Sequence, residues 1–571
     1  MGAFKLLIID DSKYFCRLIQ NRLAKLYWDI RIENDVNKAL ITAREFQPDL
    51  IMMDFMRSKI SGLQLCEEIR DSCSGVSKTP IIIHSANKTR TDILKAMKAG
   101  ADSFLVKPAS MQTLLKKIDD IMTRQGQPVI SSLEMNRVHK STFTPAMKAE
   151  RRMAMLVKSA RELKAMPHAI HRTLKVADDE RTGASELARV IKTDIAISGM
   201  VLKRANSVYY GISEPIVNIQ EAIVRIGFKE TKWLVLGLSV VKNFTQERKT
   251  LGFSRKSFWE HSLATATIGQ ILAERSRCYD IHYVFVAGLL HDIGKMVLDE
   301  YAPDDFDQAL ELAHVTQISI VQAERESFGL THNEIGQSVL EKWQFPQAIQ
   351  KAVLYHHNLT EAEIKVIPED RSLVKMVALA DMIAKSMRFG YGGDDVISDC
   401  PPEITSLFGL DLGIDDALID QATADIEEFK VFLDLPDDDV QKSYIGLGGD
   451  IKKIYYIKKK PGIVNNFMTY LTVSGCTVEQ CGLLEAITAF EQGNPGIIVW
   501  DIEADIDMQT VSDSVRDIPG NIPVILLGDK QTAAGWNYAQ ERPDTPAFSK
   551  PVWGDYLLQR IVELQEKVKS G

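Results

Sequence analysis

The stretch LIMMD, residues 50–54, sets four apolar side chains in a row before a single carboxylate, Asp54. An unbroken apolar run of this length fits a strand buried on both faces, the environment of a parallel sheet covered by helices on each side. Three more such runs surround it: FKLLII at 4–9, PIIIH at 80–84 and DSFLV at 102–106. Helical patterns lie between them, among them residues 112–122 with apolar positions at helical spacing. Residues 1–124 are therefore predicted to form an α/β domain, a doubly wound parallel sheet with its ligand crevice at the carboxyl ends of the strands.

The polar residues of this segment gather at those ends. Asp10 and Asp11 follow the first run, Asp54 closes LIMMD, Ser85 follows PIIIH, and Lys107 with Pro108 follows DSFLV. Three carboxylates at one rim repel each other unless a cation joins them, and a hard divalent ion such as Mg²⁺ is the expected guest. In order and spacing these residues closely resemble the response-regulator receiver domain, over residues 4–122. The resemblance implies a flavodoxin-like fold in which Asp54 accepts a phosphoryl group from a sensor histidine kinase. It implies that Asp10, Asp11, Asp54 and the Met56 carbonyl hold Mg²⁺, and that Ser85 and Lys107 meet the phosphoryl oxygens. Phe104 falls at the family's aromatic switch position, and the Lys107–Pro108 bond is expected to be cis, as X-Pro bonds in tight turns can be. One departure is Ser58, where the family usually carries proline.

The end of the chain repeats the beginning with parts exchanged. GIIVWD at 496–501 parallels LIMMD, IPVILL at 522–527 parallels the PIIIH run, and FSKPVW at 548–553 parallels LVKPAS at 105–110. Asp54 and Lys107 are 53 residues apart, Asp501 and Lys550 are 49. After IYYI, however, come Lys458, Lys459 and Lys460 in place of an acidic pair, and Gly528 stands in place of a hydroxyl. Residues 450–571 thus resemble a degenerate receiver without a Mg²⁺ site. A lysine standing in part for the missing cation is one reading of the exchange. Self-association, giving a homodimer through a receiver domain, or docking is the expected role.

Between these ends the pattern is helical. Residues 125–144 are polar and aperiodic and read as a linker; residues 145–440 are predicted to form an all-α domain with a C-terminal helical extension. Of eleven histidines in the chain, five fall in order within 97 residues: His261, His291, His332, His356 and His357. Asp292, in GLLHDIGK at 288–295, and Asp381, in VALADMI, complete the set. Imidazoles and carboxylates on separate helices are the usual material of mono- and di-metal sites in helical bundles. His84, His139, His168, His171, His282 and His314 lack comparable partners and read as structural or exposed. The ordered set resembles the ligand positions of the HD superfamily of metal-dependent phosphohydrolases, and ANSVYYG at 205–211 resembles the HDOD subgroup. The resemblance covers about residues 150–385; Fe, Mn or Zn is the metal expected if the set ligates one, and Lys295, one turn beyond Asp292, is expected to meet a substrate phosphate. Asn358 stands where related cyclic-dinucleotide phosphodiesterases have glutamate, and their Gly-Tyr-Pro signature is missing.

A net charge of −9 argues against a nucleic-acid surface. The apolar runs are too short to span a bilayer. Seven scattered cysteines without a CxxC pair point to reduced thiols in a cytoplasm. Two functional classes follow. One is a two-component response regulator, phosphorylated on Asp54, that signals to downstream proteins through an HDOD output or scaffold. The other is a receiver-gated phosphohydrolase acting on a nucleotide or cyclic dinucleotide. An adaptor that assembles signalling proteins through both receivers is a third.

Overall fold

The computed structural model describes residues 4–10, 16, 19–20, 23, 28–54, 62–71, 75–85, 90–106, 111–124, 149–161, 180–206, 214–244, 253–276, 281–394, 396–401, 404, 416–432, 452–458, 466–494, 496–502, 508–528 and 545–570. The chain divides into two compact units, one of Met1–Met153, Lys249–Phe253 and Leu298–Thr331, the other of Ala154–Arg248, Ser254–Val297 and His332–Gly571.

The first unit contains a five-stranded parallel sheet. Its strands are β1 Lys5–Ile9, β2 Asp29–Glu33, β3 Leu50–Asp54, β4 Ile81–Ser85 and β5 Ser103–Val106, in the order β2-β1-β3-β4-β5. Successive side chains of a strand point to opposite faces, so each apolar run feeds two cores. Leu6, Ile8, Met52 and Ile82 pack with Leu114, Leu115 and Ile118 of the Met111–Arg124 helix. Leu7, Ile51, Met53 and Ile83 pack with Ala39 and Ala43 of Val36–Phe46 and Ile69 of Gly62–Asp71. The strand β2 is the one that the apolar runs do not announce. Its sequence DIRIE alternates, as suits an edge strand that is only partly covered. The helices Pro303–Thr316 and Ile320–Phe328 of this unit pack on each other, and Phe253 meets Phe306 edge-on at 5.2 Å.

Three residues of the expected rim are described at the carboxyl ends of their strands. Asp10 follows β1, Asp54 ends β3 and Ser85 ends β4, and both Asp10 and Ser85 are buried. Phe104 lies on β5, partly buried against the second core. Asp11, Met56, Ser58, Lys107 and Pro108 fall outside the described residues.

The second unit has a helical body built around Arg255–Ser276, which is buried along most of its length. The helices Ile281–Leu290 and Pro368–Ser386 pack against it. Two glycines of GLLHDIGK set these distances. A Cβ on Gly288 would lie 2.8 Å from Ala266 Cα, and one on Gly294 would lie 1.9 Å from the His332 carbonyl oxygen. Both positions therefore need glycine for close backbone approach. The Asp416–Phe432 helix packs on Arg255–Ser276, with Lys430 Nζ 3.3 Å from Glu260 Oε1.

After the helical body comes the short strand β6, Val396–Ile397. A second five-stranded parallel sheet follows, of β7 Lys452–Ile457, β8 Cys476–Gln480, β9 Ile497–Asp501, β10 Val524–Gly528 and β11 Ala547–Ser549. Its order, β11-β10-β9-β7-β8, is that of the first sheet read from the other edge. The strand β12, Val552–Trp553, pairs antiparallel with β6, Val552 opposite Ile397 and Trp553 opposite Val396. Among the described residues no helix is long and apolar enough to cross a membrane.

Candidate metal centre

The histidine and aspartate positions converge in the helical body. His261 comes from the Arg255–Ser276 helix, and His291 and Asp292 from the turn after Ile281–Leu290. His332 opens the helix His332–Lys342, His356 and His357 follow Gln347–Tyr355, and Asp381 lies on Pro368–Ser386. Six of the seven are buried; the His357 side chain is 21% exposed.

Each carboxylate has two histidines near its Oδ1 and a lysine near its Oδ2, and His291 Nε2 also lies 3.3 Å from Asp292 Oδ2, between the two carboxylates. Asp292 Oδ1 lies 3.0 Å from His332 Nε2 and 3.5 Å from His356 Nε2, while its Oδ2 accepts a hydrogen bond from Lys295 Nζ at 2.6 Å. Asp381 Oδ1 lies 2.9 Å from His261 Nε2 and 3.6 Å from His291 Nε2, while its Oδ2 is 3.2 Å from Lys385 Nζ. Two sets of two imidazoles and one carboxylate result, with His357 beside the Asp292 set. Backbone carbonyls orient two of the rings: His291 Nδ1 donates to Gly288 O at 2.7 Å and His356 Nδ1 to Val353 O at 2.9 Å. This turns both Nε2 atoms toward the carboxylates, the usual outer-sphere arrangement of metal-binding histidines.

The donor set fits a transition metal. Two imidazoles with one carboxylate are a known ligand combination for Fe and suit Zn and Mn as well. Among the described residues, Nε2 of His291, Nε2 of His356 and Oδ1 of Asp292 are shut off from solvent and, close as they lie to one another, make no hydrogen bond of good geometry. Buried polar atoms are nearly always satisfied in native proteins, so this donor set suits a metal ion better than a purely hydrogen-bonded cluster.

Electrostatics shape the same picture. Burial pushes the His356 imidazole down to about 4, and burial also lowers His261 and His357. Burial would lower His291 too, but the charges of Asp292 and Asp381 outweigh it and raise this imidazole to about 9. Asp292 and Asp381 are buried, which would raise them, yet His291 and Lys295 hold the first and Lys385 and His261 hold the second well below the usual carboxylate range.

The structure also adds groups that the sequence reading does not name. Lys385 stands one turn from Asp381 on the same helix and reaches Asp394 Oδ1 at 3.0 Å. Residues 390–394 lie over the cluster: Tyr391 N donates to Ser257 O at 3.0 Å. A Cβ on Gly392 would come within 3.0 Å of His261 Cδ2 and 3.3 Å of Asp292 Oδ2. The i, i+4 spacing of Asp381 and Lys385 is a signal for the first of these groups. The glycine-dense GYGGDD reads by composition only as a loop. Lys295, expected to face a substrate, is fully buried on Asp292. Asn358 caps the helix Leu359–Lys365, its side chain accepting from Glu361 N at 3.1 Å.

Comparison with known proteins agrees with this architecture. A model of the response regulator receiver domain matches residues 6–119, and a model of the HDOD domain matches residues 163–359. The chain therefore carries a receiver domain, where the first α/β sheet lies, and a helical HDOD domain. An uncharacterized protein of Treponema pallidum is 26% identical over 232 residues, 40% of this chain and 42% of that protein. The response regulator ArlR of Staphylococcus saprophyticus is 32% identical over 139 residues, 24% of this chain and 61% of ArlR. The chain thus spans less than two thirds of either relative. Among solved structures, an HDOD domain protein of unknown function from Geobacter sulfurreducens is 26% identical, with a TM-score of 0.35, over 50% of this chain and 95% of that one. The chemotaxis protein CheY4 of Vibrio cholerae is 24% identical, with a TM-score of 0.20, over 21% and 99%. Asp381, Lys385 and residues 390–394 lie beyond the HDOD match.

Proposed function

We propose that this chain is a cytoplasmic two-component response regulator in which the 1–124 receiver controls an HDOD module, residues 145–440 after the 125–144 linker, that binds metal and signals without turnover. A sensor histidine kinase phosphorylates Asp54. Asp10, Asp11, Asp54 and the Met56 carbonyl hold Mg²⁺ for that transfer, and Ser85, Phe104 and Lys107 report it. The added phosphoryl group brings about two negative charges to the rim, enough to change how the receiver docks. Residues 450–571 are a degenerate receiver used for docking or self-association. The shared strand order of the two sheets and the lysine in the acidic-pair position support that assignment.

His261, His291, Asp292, His332, His356, His357 and Asp381 are the metal ligands, and Fe, Mn or Zn suits them. A bound metal of this kind supplies charge neutralisation and, where a substrate is admitted, Lewis acidity. The observation that favours a signalling site is the cover: Gly392 lies against His261 and Asp292, and both carboxylates already serve a buried lysine. The protein as purified is expected to carry stoichiometric metal, and chelation to lower its melting temperature, because the ion binds only the folded body. A metal-free protein whose melting ignores chelator would end the metal assignment.

The second reading, a receiver-gated phosphohydrolase, draws on the paired carboxylate–histidine sets and the nearby Lys295. It requires residues 390–394 to leave the cluster. Turnover of a nucleotide or cyclic dinucleotide by the metal-loaded, phosphorylated protein would establish it in place of the first.

A further inference from the structure

The second sheet carries a rim of its own, outside the metal centre. Asp501 ends β9 and is buried. Its Oδ1 accepts a hydrogen bond from Lys550 Nζ. Its Oδ2 accepts one from the Tyr456 hydroxyl at 2.6 Å and lies 3.1 Å from Lys458 Nζ. Two ammonium groups around one carboxylate leave a positive charge over, in a place where little water can screen it.

Asp399 balances that charge. Lys550 Nζ donates to its Oδ2 at 2.6 Å, and Lys458 Nζ to its Oδ1 at 3.4 Å. Asp399 belongs to no strand of this sheet; it follows β6, the segment that leaves the metal centre. Its neighbourhood is held as well. Asn466 Nδ2 donates to Ser398 O at 2.8 Å, and β6 pairs with β12. At its upstream end the same segment places Gly392 on His261 and Asp292, and Asp394 on Lys385. One short stretch of backbone thus touches the histidine–aspartate cluster and the second rim.

We propose that the rim of the C-terminal sheet is an anion site filled from within the chain, with Asp399 as its carboxylate ligand, and that this contact holds residues 390–394 against the histidine–aspartate cluster. The ligand class is fixed by the chemistry: two lysines converge on the oxygens of Asp399, as they would on those of any oxygen anion, a carboxylate or a phosphate. Asp501 is the wall of this site. Removal of Asp399 leaves Lys458 and Lys550 with one carboxylate between them, so the site opens to an anion from solution and the segment loses its anchor.

The test is backbone amide exchange on the full metal-free chain, comparing wild type with Asp399→Asn and Lys550→Gln, so the readout does not depend on whether the cluster binds metal. Peptides covering residues 390–400 and 452–458 should exchange about tenfold faster in each variant, because local opening free energy sets these rates. Peptides from the Arg255–Ser276 helix should keep their wild-type rates, which shows that the body is folded; if one variant does not fold, the other carries the test. Millimolar inorganic phosphate should slow residues 452–458 in Asp399→Asn and leave wild type unchanged. Wild-type exchange in both peptides of the folded variants overturns the proposal. Phosphate protection of the wild type equal to that of Asp399→Asn also overturns it, since a filled site has no room for a second anion.

Discussion

Lys385 Nζ lies 3.2 Å from Asp381 Oδ2, one helical turn away, with 8% of the lysine side chain and 5% of the aspartate side chain exposed. Burial would strip the lysine of its proton, but Asp381 and Asp394 together hold its pKa above the usual value. The ammonium therefore occupies one oxygen of a carboxylate that a metal would also use. Removing it has two opposite effects. Lys385→Met leaves Asp381 and Asp394 without their cation, and loss of one partner of a buried pair costs about 3–5 kcal/mol. The same change frees Asp381 for a divalent ion. The variant should melt lower than wild type without metal and recover more stability on adding Zn²⁺ or Mn²⁺. A smaller metal-induced gain than wild type shows would mean that Lys385 supports the metal instead of competing with it.

His291 and Asp292 should each be required for metal. Their substitution by alanine removes a donor directly, and even outer-sphere partners of metal ligands cost roughly 10–100-fold in affinity. His314, on the Pro303–Thr316 helix, belongs to neither ligand set and its alanine variant should keep full occupancy. Metal content of the three purified proteins decides the matter. Full occupancy in the Asp292 variant would remove it from the ligand set.

Asp54 should be the single phosphoacceptor of the two sheets. It ends β3 beside the buried Asp10, whereas both oxygens of Asp501 are engaged by Lys550, Lys458 and Tyr456. With a small phosphodonor and Mg²⁺, label should enter wild type and be lost in Asp54→Asn. Label that persists at Asp501 would reverse the ranking of the two rims.

Strands and helices were legible where one physical demand dominates. LIMMD and GIIVWD are apolar on both faces because helices cover both, and the pattern shows it. DIRIE in β2 and CTVEQ in β8 lie at sheet edges, where partial cover allows polar residues and the apolar signal fades. The seven positions of the histidine–aspartate cluster were legible because their residue types are rare and ordered. Asp399 was not. Its role depends on a lysine 59 residues later and another 151 later, and no local pattern encodes a pairing that only the folded chain creates. Lys295 was legible as a charged residue of the site, but whether it faces solvent or Asp292 is decided by packing.

The rim at Asp501 should stabilise the protein within a bounded pH range. Asp501 is buried, which alone would raise its pKa, but Lys550 and Lys458 outweigh burial and hold it below the ordinary 3.8. A depressed carboxylate contributes stability above its unfolded pKa and loses it as pH falls through the folded value. For Lys458, burial would lower the pKa, but Asp501 and Asp399 raise it above the ordinary 10.5. A raised lysine contributes stability below its unfolded pKa and loses it as pH rises through the folded value. The two windows overlap from about pH 4 to about pH 10. Within that range Lys458→Gln should cost about 3 kcal/mol, the lower end for a broken buried pair, since the Lys458 side chain is 12% exposed and that of Asp501 is 0% exposed. The difference between wild type and variant, followed by denaturant unfolding of the C-terminal tryptophans, should stay level from pH 5 to pH 9. It should shrink at more acidic pH, as Asp501 takes up a proton and no longer needs the ammonium. A difference that widens on acidification would show that Lys458 stabilises the rim by something other than its charge.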